Sequence, residues 1–246
     1  AAITGKTSAI LATHVYGNPC DIDAIDKIAK KHNLKVIYDA AHCFGTRYKG
    51  RSVLEYGDIS TISFHATKLF HTIEGGGVVT KDPGLLKRMS YLRNFGHDGP
   101  DKFNGVGING KNSEFHAAMG VLNLNYVNEI LRKRKEDHQI YNHWLDQLSL
   151  QKPFILPDAE YNFSYYPVVF NSENDCLTVL DELKSREIFA RRYFYPILSH
   201  LDYVQSRSMP VAESISTRIL CLPLAYDMDR AEIDMISRII LRKLKN

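Results

Sequence analysis

The segment from residue 8 to residue 38 constrains the fold more than any other part of this chain. It predicts an apolar strand over residues 8–15, a helix that begins after Asp21, and a second apolar strand over residues 34–38. The apolar stripe of this helix consists of Ile22, Ile25, Ile28 and Ala29. A strand, helix, strand unit normally places its strands parallel and joins them by a right-handed crossover. We therefore expect an α/β fold with a mostly parallel sheet.

Two charged residues stand where predicted strands end. Asp39 directly follows the strand at residues 34–38, and Lys68 lies shortly beyond a strand at residues 58–63, before the glycine run at residues 75–77. Either residue alone also fits an ordinary exposed loop position. Functional groups of parallel sheets gather at the carboxyl ends of the strands, which favours a common site for the two charges.

An acid and a lysine at neighbouring strand ends are what an enzyme needs to bind pyridoxal phosphate. The carboxylate keeps the pyridine nitrogen protonated, and the amine forms a Schiff base with the aldehyde. Ala40 and Ala41 are small enough for a flat ring to approach, and His42 can hydrogen-bond to a ring substituent. Ser63 supplies a hydroxyl for a phosphate. The apolar residues that flank Lys68 are expected to desolvate its amine and lower its pKa.

The composition argues against several other classes of protein. With 246 residues, of which 44% are apolar, the chain can bury a core as one large domain or two small ones. Its 31 basic and 28 acidic side chains are spread along the sequence, so we expect no nucleic-acid surface. The cysteines and histidines lack disulfide or metal-ligand spacing, so no metal site is expected. Because no membrane-spanning run or signal peptide is recognised, we expect a soluble, cytoplasmic protein.

The chain changes character in its second half. A glycine-rich loop at residues 94–112 has the length of loops that are usually functional or lie at an interface. Residues 113–150 predict a long helical stretch that is bent or broken. Further strands are predicted at residues 161–170 and 190–196, together with two amphipathic helices. This pattern indicates a smaller α+β domain.

Four motifs follow one another along the chain. They are YDAAH at residues 38–42, SFHATK at 63–68, GGGVV at 75–79 and GINGKNSEFHAAMG at 107–120. In this order they resemble the DegT/DnrJ/EryC1/StrS sugar aminotransferases, a branch of the fold-type I pyridoxal phosphate enzymes. The resemblance implies that residues 1–140 are the C-terminal portion of a cofactor-binding large domain and that residues 141–246 are a small C-terminal domain. It also implies that the N-terminal part of the large domain, with much of the phosphate site, lies outside this chain.

The resemblance implies a role for each matching residue. Lys68 would form the Schiff base with the cofactor and then carry the proton between substrate and cofactor carbons. Asp39 would pair with the pyridinium nitrogen, His42 would lie against the ring, and Ser63 would bind the phosphate. Asn109 would reach across the interface of a homodimer to the neighbouring subunit's cofactor phosphate. The active sites of the dimer would thus be shared.

The implied reaction transfers an amino group from glutamate to a keto group of a nucleotide-linked deoxysugar. The motifs look closest to enzymes that act on a dTDP-4-keto-6-deoxyhexose, as in amino-sugar synthesis for surface polysaccharides such as lipopolysaccharide O-antigen. Arg191, Tyr193 and Tyr195 are candidate contacts to the diphosphate and base of such a substrate, although packing against the large domain would explain these residues equally well.

Two positions bear on how far the resemblance extends. Lys111 replaces an arginine of the family pattern, and a point charge cannot make the same bidentate contact. His65 matters because a subgroup of the family, the sugar 3-dehydratases, has histidine in place of the Schiff-base lysine; Lys68 favours transamination here. Two alternatives stay open: another pyridoxal phosphate reaction, such as aldol cleavage or elimination, or a non-catalytic truncated fragment.

Overall fold

The structure is a computed structural model that describes residues 2–205 and 207–245. The chain divides into two compact units. Unit 1 comprises Ala1–Glu129 and Ile155–Ser164, and unit 2 comprises Ile130–Phe154 and Tyr165–Asn246. The chain therefore leaves unit 1, returns to it for ten residues, and leaves it again. The assignment of residues 1–140 and 141–246 to two domains of a larger protein stays a prediction.

Unit 1 is built on a four-stranded sheet with a smaller sheet beside it. In chain order its elements are β1 (Ala9–Thr13), α1 (Ile22–His32), β2 (Lys35–Asp39), β3 (Arg47–Tyr48), β4 (Arg51–Ser52), β5 (Ile59–Ser63), β6 (Gly76–Val79), α2 (Pro83–Leu92) and α3 (Glu114–Leu124). The large sheet has the order β1-β2-β5-β6. Strands β1, β2 and β5 are parallel, and β6 is antiparallel to β5. The predicted mostly parallel sheet is confirmed.

The ends of helix α1 show why this segment folds as the sequence predicts. The Asp21 side chain accepts a hydrogen bond of 2.9 Å from the Ala24 N–H and so caps the first turn. Asn33, in the left-handed conformation with φ of 51°, ends the helix. Val36 and Tyr38 of β2 are buried in the core beneath the helix. The crossover thereby brings β1 and β2 side by side in parallel register.

Helix α4 (Val127–Leu145) begins in unit 1 and continues into unit 2. The long helical stretch predicted after residue 113 is thus broken between Leu124 and Val127, as expected. Strand β7 (Ala159–Glu160) follows and pairs with β3 in unit 1.

Unit 2 is an α+β unit around one core. Its further elements are β8 (Tyr166–Val169), α5 (Glu173–Lys184), α6 (Pro210–Ser216), β9 (Ile219–Leu222) and α7 (Arg230–Lys245). Strands β8 and β9 are antiparallel. Its fully buried side chains include Tyr141, Leu145, Phe170, Leu183, Leu220 and Ile240. Within residues 2–205 and 207–245, no helix is long and apolar enough to cross a membrane.

Two strand predictions need correction. The strand predicted at residues 161–170 is present only as β8, because residues 155–164 pack in unit 1 instead of extending it. The strand predicted at residues 190–196 is wrong. Only Arg191 forms a backbone bridge, to Cys221, and the Tyr193 N–H then bonds the Arg191 carbonyl at 3.0 Å, which turns the chain away from the sheet.

Substitution of Gly17 tests how closely the main chain packs against residues 42 and 162 in unit 1. Gly17 has φ of 85°, and a Cβ there would lie 2.3 Å from Asn162 Oδ1 and 2.8 Å from the His42 carbonyl oxygen. We expect Gly17→Ala to lower the free energy of unfolding by roughly 2–4 kcal/mol, because overlap adds to backbone strain. Gly50→Ala is the control: Gly50 has φ of 72° and open space around it, so only about 1 kcal/mol of strain applies. Urea denaturation measures both, and equal losses would contradict the close approach at Gly17.

Candidate active site

The parallel register of the sheet places Asp39 and Ser63 at the same edge. Asp39 lies between Thr13 of β1 and Thr61 of β5, and Ser63 ends β5. The main chain of Asp39 is fixed by a 2.9 Å hydrogen bond from the His14 N–H to its carbonyl oxygen. Its side-chain Oδ1 accepts a 3.0 Å hydrogen bond from the Ala41 N–H. The carboxylate is therefore held in one orientation, with Oδ2 left for another donor.

His42 lies on the tight loop that follows Asp39. Its Nδ1 accepts a 3.0 Å hydrogen bond from the Tyr16 N–H, and its ring is parallel to the Tyr16 ring at 6.5 Å between centroids. Because Nδ1 is the acceptor, the neutral ring carries its hydrogen on Nε2, which is a donor. Burial lowers the pKa of His42 to about 4; the Lys68 ammonium adds to this shift and Asp39 opposes it. His42 is therefore neutral near pH 7.

Lys68 lies on the loop between β5 and β6. Two hydrogen bonds of 2.9 Å close this loop, from the Phe64 N–H to the Gly75 carbonyl and from the Thr72 N–H to the Phe64 carbonyl. The Phe70 ring packs edge-on against Phe64 at 5.2 Å. Burial lowers the pKa of the Lys68 amine, and Asp39 opposes the shift. In the part of the chain that the structure describes, no side chain hydrogen-bonds or ion-pairs with this amine.

Ser63 and His65 organise the turn that leads to Lys68. The Ser63 Oγ accepts a 3.3 Å hydrogen bond from the His65 N–H, so its hydroxyl hydrogen stays available to donate. The His65 Nδ1 lies 2.9 Å from the Thr67 hydroxyl, and its Nε2 lies 3.6 Å from Glu74. His65 is thus engaged within its own loop, which leaves Lys68 as the reactive group.

The structure brings four of the predicted site residues to one edge of unit 1. Asp39 lies close enough to His42 and Lys68 to affect the pKa of both, Lys68 also affects the pKa of His42, and Ser63 ends the strand next to Asp39. Asn109 is not part of this group. It is exposed, forms a backbone bridge with Asn94, and accepts a 2.9 Å hydrogen bond from Lys111.

The remaining candidates, Arg191, Tyr193 and Tyr195, belong to unit 2. The Arg191 guanidinium hydrogen-bonds the Tyr193 hydroxyl and lies 5.5 Å from the centroid of its ring. The Tyr195 ring packs against Arg192 at 3.6 Å. Arg192 also donates to Glu173 and to a main-chain carbonyl, so its contact with Tyr195 belongs to the packing of unit 2.

Sequence reasoning missed two residues at the unit 1 site. His14 is fully buried, stacks on Tyr38 at 4.5 Å, and accepts a 3.0 Å hydrogen bond from the Cys20 N–H. Burial lowers its pKa to about 4, against an opposing effect of Asp39. Asn162 is 1% exposed and donates to two main-chain carbonyls of the His42 loop. The only sequence signal for Asn162 was one amide within an aromatic run.

Comparison with protein families gives one match over almost the whole chain. The model of the DegT/DnrJ/EryC1/StrS aminotransferase family matches residues 1–241. The chain belongs to this family. Its relatives include the dTDP-4-amino-4,6-dideoxy-D-glucose transaminase of Shigella dysenteriae, which is 40% identical over 96% of this chain. The transaminase of the same description from Escherichia coli is 34% identical over 99% of this chain.

Solved structures confirm the predicted fold-type I architecture. DesI, crystallised in the presence of its TDP-sugar product, superposes with a TM-score of 0.89 at 31% identity, over 98% of this chain and 64% of its own. Helicobacter pylori PseC, an aminotransferase of pseudoaminic acid biosynthesis, gives 0.91 at 25% identity, over 99% of this chain and 68% of its own. The present chain spans 66% and 68% of the lengths of the Shigella and Escherichia relatives, about two thirds.

His14, which is buried, and His42, which is partly buried, make stability depend on pH. Burial lowers the pKa of His14 and of His42 to about 4, from an ordinary value of 6.5. Between these values the unfolded chain binds more protons, so the stabilisation is present above about pH 6.5 and is lost as the pH falls through 4. For the fully buried His14 the loss reaches about 3 kcal/mol.

Urea denaturation at pH 7, 5.5 and 4.5 measures this dependence. We expect His14→Asn to flatten the profile and the exposed His32→Asn, a matched control, to leave it unchanged. A free energy of unfolding that stays constant down to pH 4.5 would contradict the buried, neutral state of these rings.

Proposed function

We propose that this chain carries the central part of the active site of a pyridoxal-phosphate-dependent aminotransferase. The enzyme moves an amino group from glutamate to a nucleotide-linked keto-deoxysugar. The observation that carries the proposal is the pairing of Asp39 and Lys68. The two lie at one edge of a parallel sheet. They are close enough that the carboxylate opposes the lowering of the amine pKa by burial, although the pKa stays lowered overall.

The residues present fit the chemistry of this cofactor. The free oxygen of Asp39 can accept the pyridinium N–H, and the Nε2–H of His42 can donate to the ring oxygen. The Ser63 hydroxyl can donate to a phosphate oxygen. Among the described residues, Lys68 supplies an amine that makes no competing hydrogen bond or ion pair. The ring nitrogen, the ring oxygen, the aldehyde and one phosphate oxygen of the cofactor thus each find a partner of the correct type.

Each side chain then has a defined task. Pyridoxal phosphate, when bound, supplies an aldehyde that takes up amino groups and a pyridinium ring that withdraws electrons. Lys68 would hold the aldehyde carbon and would carry a proton at its Nζ. Burial promotes this role, because a lowered pKa makes the neutral amine more available as nucleophile and base. Asp39 holds the proton on the ring nitrogen, and the neutral His42 orients the ring without placing a second cation beside Lys68.

The proposed substrate is a dTDP-4-keto-6-deoxyhexose. Support comes from the two relatives described as dTDP-4-amino-4,6-dideoxy-D-glucose transaminases and from DesI with its TDP-sugar product. Relatives described as GDP-perosamine synthases support a place in amino-sugar synthesis for surface polysaccharides such as O-antigen. Arg191, Tyr193 and Tyr195 are the proposed contacts to the nucleotide diphosphate, since a guanidinium and aromatic rings suit that ligand.

The proposed assembly is a cytoplasmic homodimer. Large apolar side chains are exposed on the loop and helix that carry the GINGKNSEFHAAMG motif: Val106 is 92% exposed and Phe115 is 86% exposed. Apolar surface of this kind is typical of interfaces. Asn109 lies on this surface and is proposed to bind the cofactor phosphate of the partner subunit, with Lys111 bonded to its side-chain oxygen.

Lys68→Ala tests the proposal directly. We expect transaminase activity to fall at least about 10³-fold, because the nucleophile and proton carrier is lost. In the unsubstituted protein, added pyridoxal phosphate should give a visible absorbance band, and borohydride should fix the cofactor to the peptide that contains Lys68. Lys81→Ala, at an exposed lysine, is the matched control and should behave as the unsubstituted protein. An active Lys68→Ala variant would overturn the assignment.

Asp39→Asn tests the role of the carboxylate at nearly constant shape. The amide cannot hold the ring nitrogen in its protonated form, so we expect kcat to fall about 10- to 100-fold, the worth of a hydrogen bond to a charged group. Asp227→Asn, an exposed aspartate in unit 2, controls for the change in net charge. Single-turnover kinetics with glutamate measure the effect, and an unchanged rate would rule out Asp39 as the partner of the ring nitrogen.

A further inference from the structure

The buried side chain of Asn162, near the site, forms hydrogen bonds through both its amide nitrogen and its amide oxygen. Its Nδ2 donates to the His42 carbonyl oxygen at 2.8 Å and to the Phe44 carbonyl oxygen at 2.9 Å. Its Oδ1 accepts a 3.1 Å hydrogen bond from the Ser164 N–H. With 1% exposure, the side chain has no contact with solvent that could replace these bonds. Both hydrogens and the oxygen of the amide are therefore used.

Asn162 binds two carbonyls of the loop, while N–H groups of the loop bind two others. The Ala40 carbonyl accepts from the Cys43 N–H, and the Cys43 carbonyl accepts from the Thr46 N–H, both at 2.9 Å. The carbonyls of His42 and Phe44 face Asn162 instead. A buried carbonyl without a donor costs about 1–3 kcal/mol, so the conformation of this loop depends on the amide.

Residues 161–164, the segment that contains Asn162, also stabilise the position of the His42 ring. The Tyr161 hydroxyl donates to the Tyr16 carbonyl oxygen at 3.0 Å, and the Tyr16 N–H donates to His42 Nδ1 at 3.0 Å. The Ser164 hydroxyl adds a 3.3 Å hydrogen bond to the His42 carbonyl oxygen. Residues 161–164 thus fix His42 at its main chain directly and at its ring through Tyr16.

The packing leaves little tolerance at Asn162. A carboxylate of the same shape has no N–H to offer two carbonyl oxygens, and it would place a charge in a site that water does not reach. The amide also packs closely against Gly17, since a Cβ added to Gly17 would lie 2.3 Å from Asn162 Oδ1.

We propose that Asn162 is a positioning residue that sets the orientation of His42 toward the cofactor ring and thereby contributes to cofactor affinity. The inference rests on the proposed function, since it assigns His42 to the cofactor. It also predicts a property of the protein without cofactor, namely the state of the His42 ring. That property allows the two ideas to be tested separately.

The first measurement is nitrogen NMR of the histidine side chains in the cofactor-free protein. In the unsubstituted protein, His42 should carry its hydrogen on Nε2 and titrate well below 6.5. In Asn162→Ser we expect a mixture of tautomers and a pKa shifted up toward 6.5, because a ring that is no longer held against Tyr16 loses the burial that is the main cause of its lowered pKa. Asn171→Ser, at an exposed asparagine, is the control.

A purely structural role for Asn162 gives a different result. The melting temperature of Asn162→Ser would then fall while the His42 signals of the folded protein stay unchanged, and this outcome would overturn the proposal. Should Asn162→Ser not fold, Ser164→Ala provides the milder variant, because it removes only the 3.3 Å hydrogen bond to the His42 carbonyl. Its His42 signals should shift in the same direction by a smaller amount.

The second measurement is a double-mutant cycle on the dissociation constant of pyridoxal phosphate. We expect Asn162→Ser to raise this constant about tenfold in the unsubstituted protein, the worth of about one hydrogen bond. In a His42→Ala background it should have almost no further effect. An equal increase in both backgrounds would show that Asn162 does not act through His42. If no cofactor binds to any variant, the proposed function fails, while the NMR measurement still decides the role of Asn162.

Discussion

The parallel register of β1, β2 and β5 is the constraint on which the rest of the site depends. It sets Thr13, Asp39 and Thr61 side by side, so that the loops after all three strands leave the sheet at one edge. A slip of one residue in β2 would turn Asp39 to the other face of the sheet. The buried Tyr38 would then point outward, and the loss of its burial opposes such a slip.

At this edge, burial and the Asp39 carboxylate shift the pKa values of three side chains in opposite directions. Burial favours the neutral forms of His14, His42 and Lys68, and it is the larger effect at each of them. The Asp39 carboxylate raises the pKa of all three groups and so opposes the effect of burial at each of them. The result is one carboxylate among neutral imidazoles and an amine of lowered pKa. The lowered pKa makes the neutral amine, which is the nucleophile, more available.

The sequence predicts those features of the fold and site that depend on a local pattern of residues. It does not predict features that depend on contacts between residues far apart in the sequence. The strand, helix, strand unit and the placement of Asp39 and Ser63 follow from apolar periodicity, which is read within about thirty residues. Asn162 could not be found in this way, because its partner His42 is 120 residues away in the sequence. The missing strand at residues 190–196 has another cause. The segment was predicted as a strand, but a hydrogen bond from the Tyr193 N–H to the Arg191 carbonyl turns the chain after Arg191.

The path of the chain between the two units has a consequence for how the protein is made. Synthesis delivers the His42 loop before the side chain that binds two of its carbonyls, because that side chain lies in Ile155–Ser164, after an excursion into unit 2. Domains emerging from the ribosome generally fold in order from the N-terminus. Here the site edge of unit 1 stays incomplete until residue 162 has emerged, so a nascent chain that stops at Glu129 holds Asp39 and Lys68 without the amide that secures His42. Asn162 is thus added to this site only after Asp39, His42 and Lys68 have been synthesised.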